Sequence, residues 1–484
     1  MIGPHIVLSI PELLLAIFGH LSVKELVVAA LVCKAWSAPA VDTIWRTQTI
    51  MLSCLLAKLA PIDTKYRFRH AVLKPKTPIT QGDWSHFLDR YANRVTKLKL
   101  DVQLDTESMM HISTLLETFG GLFCGDLISL EWPSGSAYDT GNHRKLFDLL
   151  PATKLQTVRL AESDTSRIAT TPLSQLAHRA PHVREIITPC QYNSFDFSVF
   201  SQLQFLSFGG YLSKSDYRNL AHCPYLRVLR FENMWAQVLA TQQNNGTAIT
   251  FPRLEELSIH PSHDSTDDML LQSVMPALRS LEYRRQEMGP CTIPFLNGVV
   301  RTSPHLKSIT ITAGVPPLEL ELVQHDGVRN LFFENRYRVN SELDARHRLS
   351  TIARTFPKLE KLEIIWDSIG WHWSTIQMLG NHLSDLRHLR LSMDVSISLL
   401  SGAPKVTAPI RSLTTLEFGV LRILPDDIDA FISYLVMLCP NVRDMHISEY
   451  VVRGDMGSVY GGVLAFIEGF FDRKGWGELE TVTG

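Results

Sequence analysis

From about residue 92 the chain repeats one short pattern: an apolar residue, two others, a second apolar residue, one other, and a third apolar residue. Val95-Leu98-Leu100, Leu203-Leu206-Phe208, Leu306-Ile309-Ile311, Leu359-Leu362-Ile364 and Leu413-Leu416-Phe418 are clear copies. Weaker ones begin at Leu127, Val183, Leu278 and Leu479. The second and third apolar positions flank a single residue, which is the period of a strand with one buried face. Between copies lie stretches with apolar residues at helical spacing, among them Leu173-Leu176-Ala177, Leu349-Ile352-Ala353 and Ile428-Phe431-Ile432-Leu435.

Fifteen such starts fall between Val95 and Leu479, about 27 residues apart on average, which is the period of leucine-rich repeats. Pro181, Pro224, Pro252, Pro276, Pro304, Pro357 and Pro440 each stand two residues before a start, and chance would place roughly one proline there. The proline is expected to end the preceding helix and force an extended entry into the strand. One such coil cannot cover its own apolar face, so the coils must stack. The pattern therefore predicts an α/β fold over 92–484: an irregular leucine-rich-repeat solenoid of about fifteen repeats, with parallel strands on the concave face and helices outside. The Asn or Cys that usually follows the third apolar position is largely missing, so the repeats are irregular.

The first fifty residues follow another rhythm. Ser9-Ile10-Pro11-Glu12 and Ser22-Val23-Lys24-Glu25 each place Glu three residues after Ser, the spacing of a capping box at a helix start. Leu13, Leu14, Ile17, Phe18 and Leu21, then Leu26, Ala29, Ala30, Val32, Cys33 and Trp36, then Val41, Ile44 and Trp45 predict three short helices. Their apolar residues run around much of each helix, more than so small a module can hide, so a partner is expected to cover the remainder. Residues 47–91 read as a helical spacer and loop, with basic Lys65 to Arg69 and turn-forming Pro75 and Pro78.

Ile-Pro-Glu-Leu-Leu-Leu-Ala-Ile-Phe from Ile10, then Leu21, Ala-Leu-Val-Cys-Lys-Ala-Trp up to Trp36, and Ile44-Trp45-Arg46 resemble the F-box in order and spacing, which makes residues 1–46 an F-box helical module. The resemblance implies docking onto the adaptor of an SCF-type cullin-RING ubiquitin ligase, and through it onto a cullin. It places Pro11, Leu14, Ile17, Leu26, Val32 and Trp36 in or beneath that interface. The function it implies is substrate recognition, with the repeats holding a protein target. The alternative is a leucine-rich-repeat scaffold that delivers nothing for ubiquitination. On either reading the chain is not itself an enzyme and needs no cofactor or metal.

Composition narrows the partner. Forty-seven basic and 49 acidic residues give a net charge of −2 without a basic stripe, which argues against nucleic acid. Seven scattered cysteines have neither zinc nor redox spacing, and the longest apolar runs, such as Leu26 to Cys33, are too short to cross a membrane. A cytoplasmic or nuclear location is expected. Arg453-Gly454-Asp455 and Asn245-Gly246-Thr247 are then chance matches to extracellular motifs.

On the strands, the residues alternating with the buried ones should line the inner wall, from Lys97 and Lys99 through Glu282, Arg284, Lys361, Glu363, His388 and Arg390 to Asp444 and His446. Their mixed signs favour a protein segment over a uniformly charged ligand. Arg284, Arg285, Arg336 and Arg338 are candidates to grip an acidic or phosphorylated peptide, and Trp366, Trp371 and Trp373 are candidate anchors.

Overall fold

The structure is a computed structural model. It describes residues 10–59, 65–67, 70–72, 78–100, 103–104, 106–120, 123–132, 150, 152–160, 170–188, 196–212, 214–236, 248–261, 273–285, 292–313, 323–335, 342–366, 373–394, 406, 408–423, 428–452 and 469–471. The chain divides into two compact units, Met1–Leu226 and Arg227–Gly484.

The first unit opens with three helices: α1 (Pro11–Phe18), α2 (Val23–Val32) and α3 (Lys34–Thr47). Ser22 caps α2 as expected. Its hydroxyl accepts from the Glu25 amide, and its own amide donates to Glu25 Oε2 at 2.7 Å. The cap of α1 differs from expectation, because Ile10 rather than Ser9 stands at the N-cap and no side chain caps the helix. Pro11 is the cause. Its fixed φ and missing N–H suit the first helical position, and its ring keeps Ile10 extended, at φ −84° and ψ 112°. Leu14, Phe18, Leu26, Ala29 and Ala40 form the core of the module, and Leu21, Ala30, Trp36 and Ile44 pack at its edge.

The segment expected to be only a helical spacer and loop also supplies a strand. β1 (Thr49–Met51) pairs in parallel with β2 (Lys97–Lys99), matching Ile50 to Leu98. Helices α4 (Leu52–Leu56) and α5 (Gln81–Arg90) lie between them in sequence. β3 (Ser129–Trp132), β4 (Thr157–Leu160), β5 (Glu185–Thr188) and β6 (Phe205–Leu212) follow in order, each parallel to the one before. Among the described residues, α6 (Thr106–Phe119), α7 (Thr170–Arg179) and α8 (Lys214–Leu220) are the α-helices of this part. Between β5 and β6, where the repeat step is shortest, the helical element among the described residues is a 3-10 turn at Phe197–Val199. Gly120 adopts φ +72° just after α6, a left-handed backbone that costs glycine little. Its carbonyl accepts a hydrogen bond from Trp84 Nε1 of α5 at 2.9 Å.

The second unit continues the same plan through β7 (Val228–Ala236), β8 (Glu256–Pro261), β9 (Ser280–Arg285), β10 (Ser308–Ala313), β11 (Asn330–Asn335), β12 (Lys361–Trp366), β13 (His388–Asp394), β14 (Thr415–Ile423) and β15 (Asp444–Val452). Every neighbouring pair is parallel. α9 (Thr292–Thr302), α10 (Glu342–Thr355), α11 (Trp373–His382) and α12 (Ile428–Leu438) return the chain between strands. Tyr283 of β9 meets Phe295 of α9, and Phe418 of β14 meets Phe431 of α12. The helices therefore cover the face that carries the buried apolar positions.

Each strand follows a tight turn whose closing N–H belongs to the first apolar residue of the copy: Val183 donates to Ala180 O, Leu306 to Ser303 O and Val442 to Cys439 O. The repeated prolines sit inside these turns, at the second of four residues, as Pro181, Pro304 and Pro440 do. They therefore set the turn rather than an extended strand entry, because φ near −65° is the value that turn position requires. The coils are tied together by a recurring fork. Two successive amides donate to one carbonyl of the preceding coil, as Lys307 and Ser308 do to Arg279 O and as Arg387 and His388 do to Glu360 O.

Candidate functional site

The helical module leaves unpaired the surface that its sequence suggested. On α2 only Leu26 and Ala29 are buried, whereas Val27, Val28, Leu31 and Val32 are exposed, Leu31 to 82%. Leu13 and Ile17 of α1 are exposed as well. Of the six residues placed in or beneath an interface, Pro11, Ile17 and Val32 stand at the surface, and Leu14 and Leu26 lie beneath it in the core. Trp36 is half-buried, its ring edge-on to Phe18 with centroids 5.7 Å apart. Val27, Val28 and Leu31 were not singled out from the sequence. The signal for them is the unbroken apolar run from Leu26 to Val32 on a ten-residue helix that can bury only one side. Covering a Leu or Val side chain contributes ~1.5–3 kcal/mol, so a partner seated on this face gains several kcal/mol from α2 alone.

The second surface is the open face of the strands. In the second unit the register lines up Glu282, Thr310, Phe332 and Glu363 across β9 to β12, and then Arg390, Glu417 and His446 across β13 to β15. Cations and carboxylates pair along this row. Arg284 bonds Glu282 on its own strand. Lys361 Nζ is 2.6 Å from Glu363, and Arg390 lies 3.6 Å from both Glu363 and Glu417. His388 Nε2 is 3.8 Å from the same two carboxylates. It is buried without a hydrogen-bond partner, as is Arg390 Nε. Burial holds the His388 imidazole below its ordinary pKa despite the Glu417 and Glu363 carboxylates, and the Lys361 and Arg390 cations add to that effect. Burial opposes ionisation of Glu282, but the hydrogen bond from Ser258 and the Arg284 guanidinium outweigh it and keep its carboxyl below the usual range.

Between the two charged pairs on β9 and β12 lies a cavity of about 450 Å³. Arg284 borders it and is exposed, while neighbouring Arg285 is half-buried. The other proposed members of that cation cluster, Arg336 and Arg338, lie outside the described residues, as does Trp371. Trp366 ends β12 and Trp373 begins α11. Burial pushes the Cys223 thiol up to about 12 and Cys124 further still, away from the reactive thiolate form.

These features define an α/β protein in which a three-helix module precedes parallel-strand repeats resembling leucine-rich repeats. More particularly, a family model described as F-box-like matches residues 11–51, so an F-box-like domain occupies the N-terminal helices and reaches through β1. Among solved structures, an internalin from Listeria monocytogenes strain 4b F2365 is similar, with 13% identity over 56% of this chain and 76% of that one, at a TM-score of 0.29. No curated protein matches the chain. Among the described residues, no helix is long and apolar enough to cross a membrane.

Proposed function

We propose that this chain is the substrate-recognition subunit of an SCF-type cullin-RING ubiquitin ligase, acting in the cytoplasm or nucleus. The F-box-like domain binds the ligase adaptor and through it the cullin, and the repeats hold a protein target while other subunits transfer ubiquitin. The observation that carries this reading is the exposed apolar face of α1 and α2 within an F-box-like match. F-box and leucine-rich-repeat modules are typically non-catalytic, which fits a receptor that only positions its cargo.

The test is calorimetric binding of the purified chain to the adaptor. Val28 and Leu31 are exposed, so the double variant Val28→Asp, Leu31→Asp keeps the fold and is expected to lose binding at least a hundredfold. Leu26→Ala, by contrast, removes a core side chain and costs ~2–5 kcal/mol of stability. A folded wild type that ignores the adaptor would sink the proposal. Adaptor binding without any bound protein being turned over faster would leave the scaffold reading in its place.

A further inference from the structure

The repeats hold their target, on the reading above, at a place this surface itself marks. We propose that strands β9 to β12 take an extended acidic segment of the target, with an apolar side chain seated over Phe332 and a carboxylate at each end reaching Arg284 and Lys361.

Three observations converge on this. The floor is small and uncharged: Ser308, Thr310 and Asn330 line the cavity together with the half-buried ring of Phe332. Everywhere else along the row from β12 to β14 the open face is filled by Glu363, Arg390 and Glu417, so the cavity is a gap in a charged surface. At both edges the cation is the accessible partner and the carboxylate is recessed. Arg284 is 55% exposed against 28% for Glu282, and Lys361 is 47% exposed against 12% for Glu363. The carboxylates also have other claims on them. Glu282 accepts from the Ser258 hydroxyl at 2.7 Å, and Glu363 is shared with Arg390 and His388. Arg284 and Lys361 are therefore only partly neutralised, and an incoming carboxylate meets cation before it meets anion.

Spacing sets the ligand. Arg284 and Lys361 sit at opposite ends of their strands, but each leans towards the middle row to meet Glu282 or Glu363. Their charged heads are then separated mainly by the three strand intervals from β9 to β12, about 14 Å at ~4.8 Å each. An extended peptide advances ~3.3 Å per residue, so carboxylates four residues apart span that distance. The residue midway between them falls between β10 and β11, over the gap between Thr310 and Phe332, so that its side chain can reach the Phe332 ring.

The experiment uses the full chain and three fluorescein-labelled probes, Glu-Gly-Phe-Gly-Glu, Glu-Gly-Gly-Gly-Glu and Lys-Gly-Phe-Gly-Lys, followed by anisotropy. The first should bind at least tenfold more tightly than either of the others. Arg284→Gln with Lys361→Gln should erase that preference, and Thr310→Trp, which fills the cavity and leaves both cations in place, should weaken the first probe at least tenfold. Thermal melts confirm that each variant is folded. Equal binding of the acidic and basic probes to the wild type, or indifference to the variants, would overturn the inference. The adaptor assay is read separately through residues 11–51, so failure here leaves the adaptor proposal standing, and failure there does not alter the probe result.

Discussion

A single imidazole shows how the open face of the repeats is balanced. His388 Nε2 is enclosed by Glu363 and Glu417, each 3.8 Å away, with Lys361 and Arg390 competing for the same carboxylates. Burial nonetheless favours its neutral form and lowers its pKa, as burial and Arg284 do for His260 on β8. Between the folded and unfolded pKa values the unfolded chain binds more protons, so stability rises with pH. The contribution is complete above the usual histidine value and is lost as pH falls towards the lowered one. The melting temperature should therefore drop between pH 7.5 and 5.5, and His388→Gln should flatten part of that slope, leaving a remainder for His260. An unchanged slope in the variant would show that the imidazole does not sense the cluster. None of this could be read from sequence, where His388 is only one alternating polar position among many. Ile17 and Val32, by contrast, were singled out through the F-box resemblance, which placed them in or beneath an interface without separating surface from core. Val28 and Leu31 were not, because a continuous apolar run gives a helix no phase by which to tell its inner side from its outer.

At the scale of the element, the strands were legible because three apolar positions each report burial independently. Fourteen of the fifteen starts lead into a described strand, and Leu479 lies outside the described residues. β1 escaped notice for a local reason. Its register with β2 sets Ile50 against Leu98, which puts Thr47 where that copy has Val95, and the pattern loses its first apolar member. The prolines were legible in position and misread in role, since they lie in the turn. That correction makes a prediction. Ser384 occupies the same turn position after α11 that Pro304 occupies after α9, two residues before Leu386. Ser384→Pro should stabilise the protein by ~0.4–1 kcal/mol by restricting the unfolded chain at a compatible site, measured as a rise in denaturation midpoint at unchanged slope. A fall would mean that this turn differs from its proline-bearing relatives.

At the scale of the molecule, a stacked array draws stability from each coil's neighbours, so its least protected part is a coil with a neighbour on one side. Among the described strands β15 pairs only with β14, and the sequence offers the aromatic residues Phe466, Phe470, Phe471 and Trp476 to cover the C-terminal end of the array. Phe466 and Trp476 lie outside the described residues. Phe470 and Phe471 are buried, with their rings 5.2 Å apart and nearly perpendicular. Gly469 before them approaches α12 so closely that a Cβ there would lie 3.2 Å from Ile432 Cδ1. This short segment is therefore seated on the helix that leads into β15. Phe470→Ala should remove ~3–5 kcal/mol of packing, and in an array stabilised by nearest neighbours the loss stays local. Hydrogen exchange should accelerate in α12 and β15 and remain unchanged in β9 to β11. Uniform acceleration across these strands would show that the second unit opens as one cooperative block, and no change would show that the aromatic pair covers nothing the coil depends on.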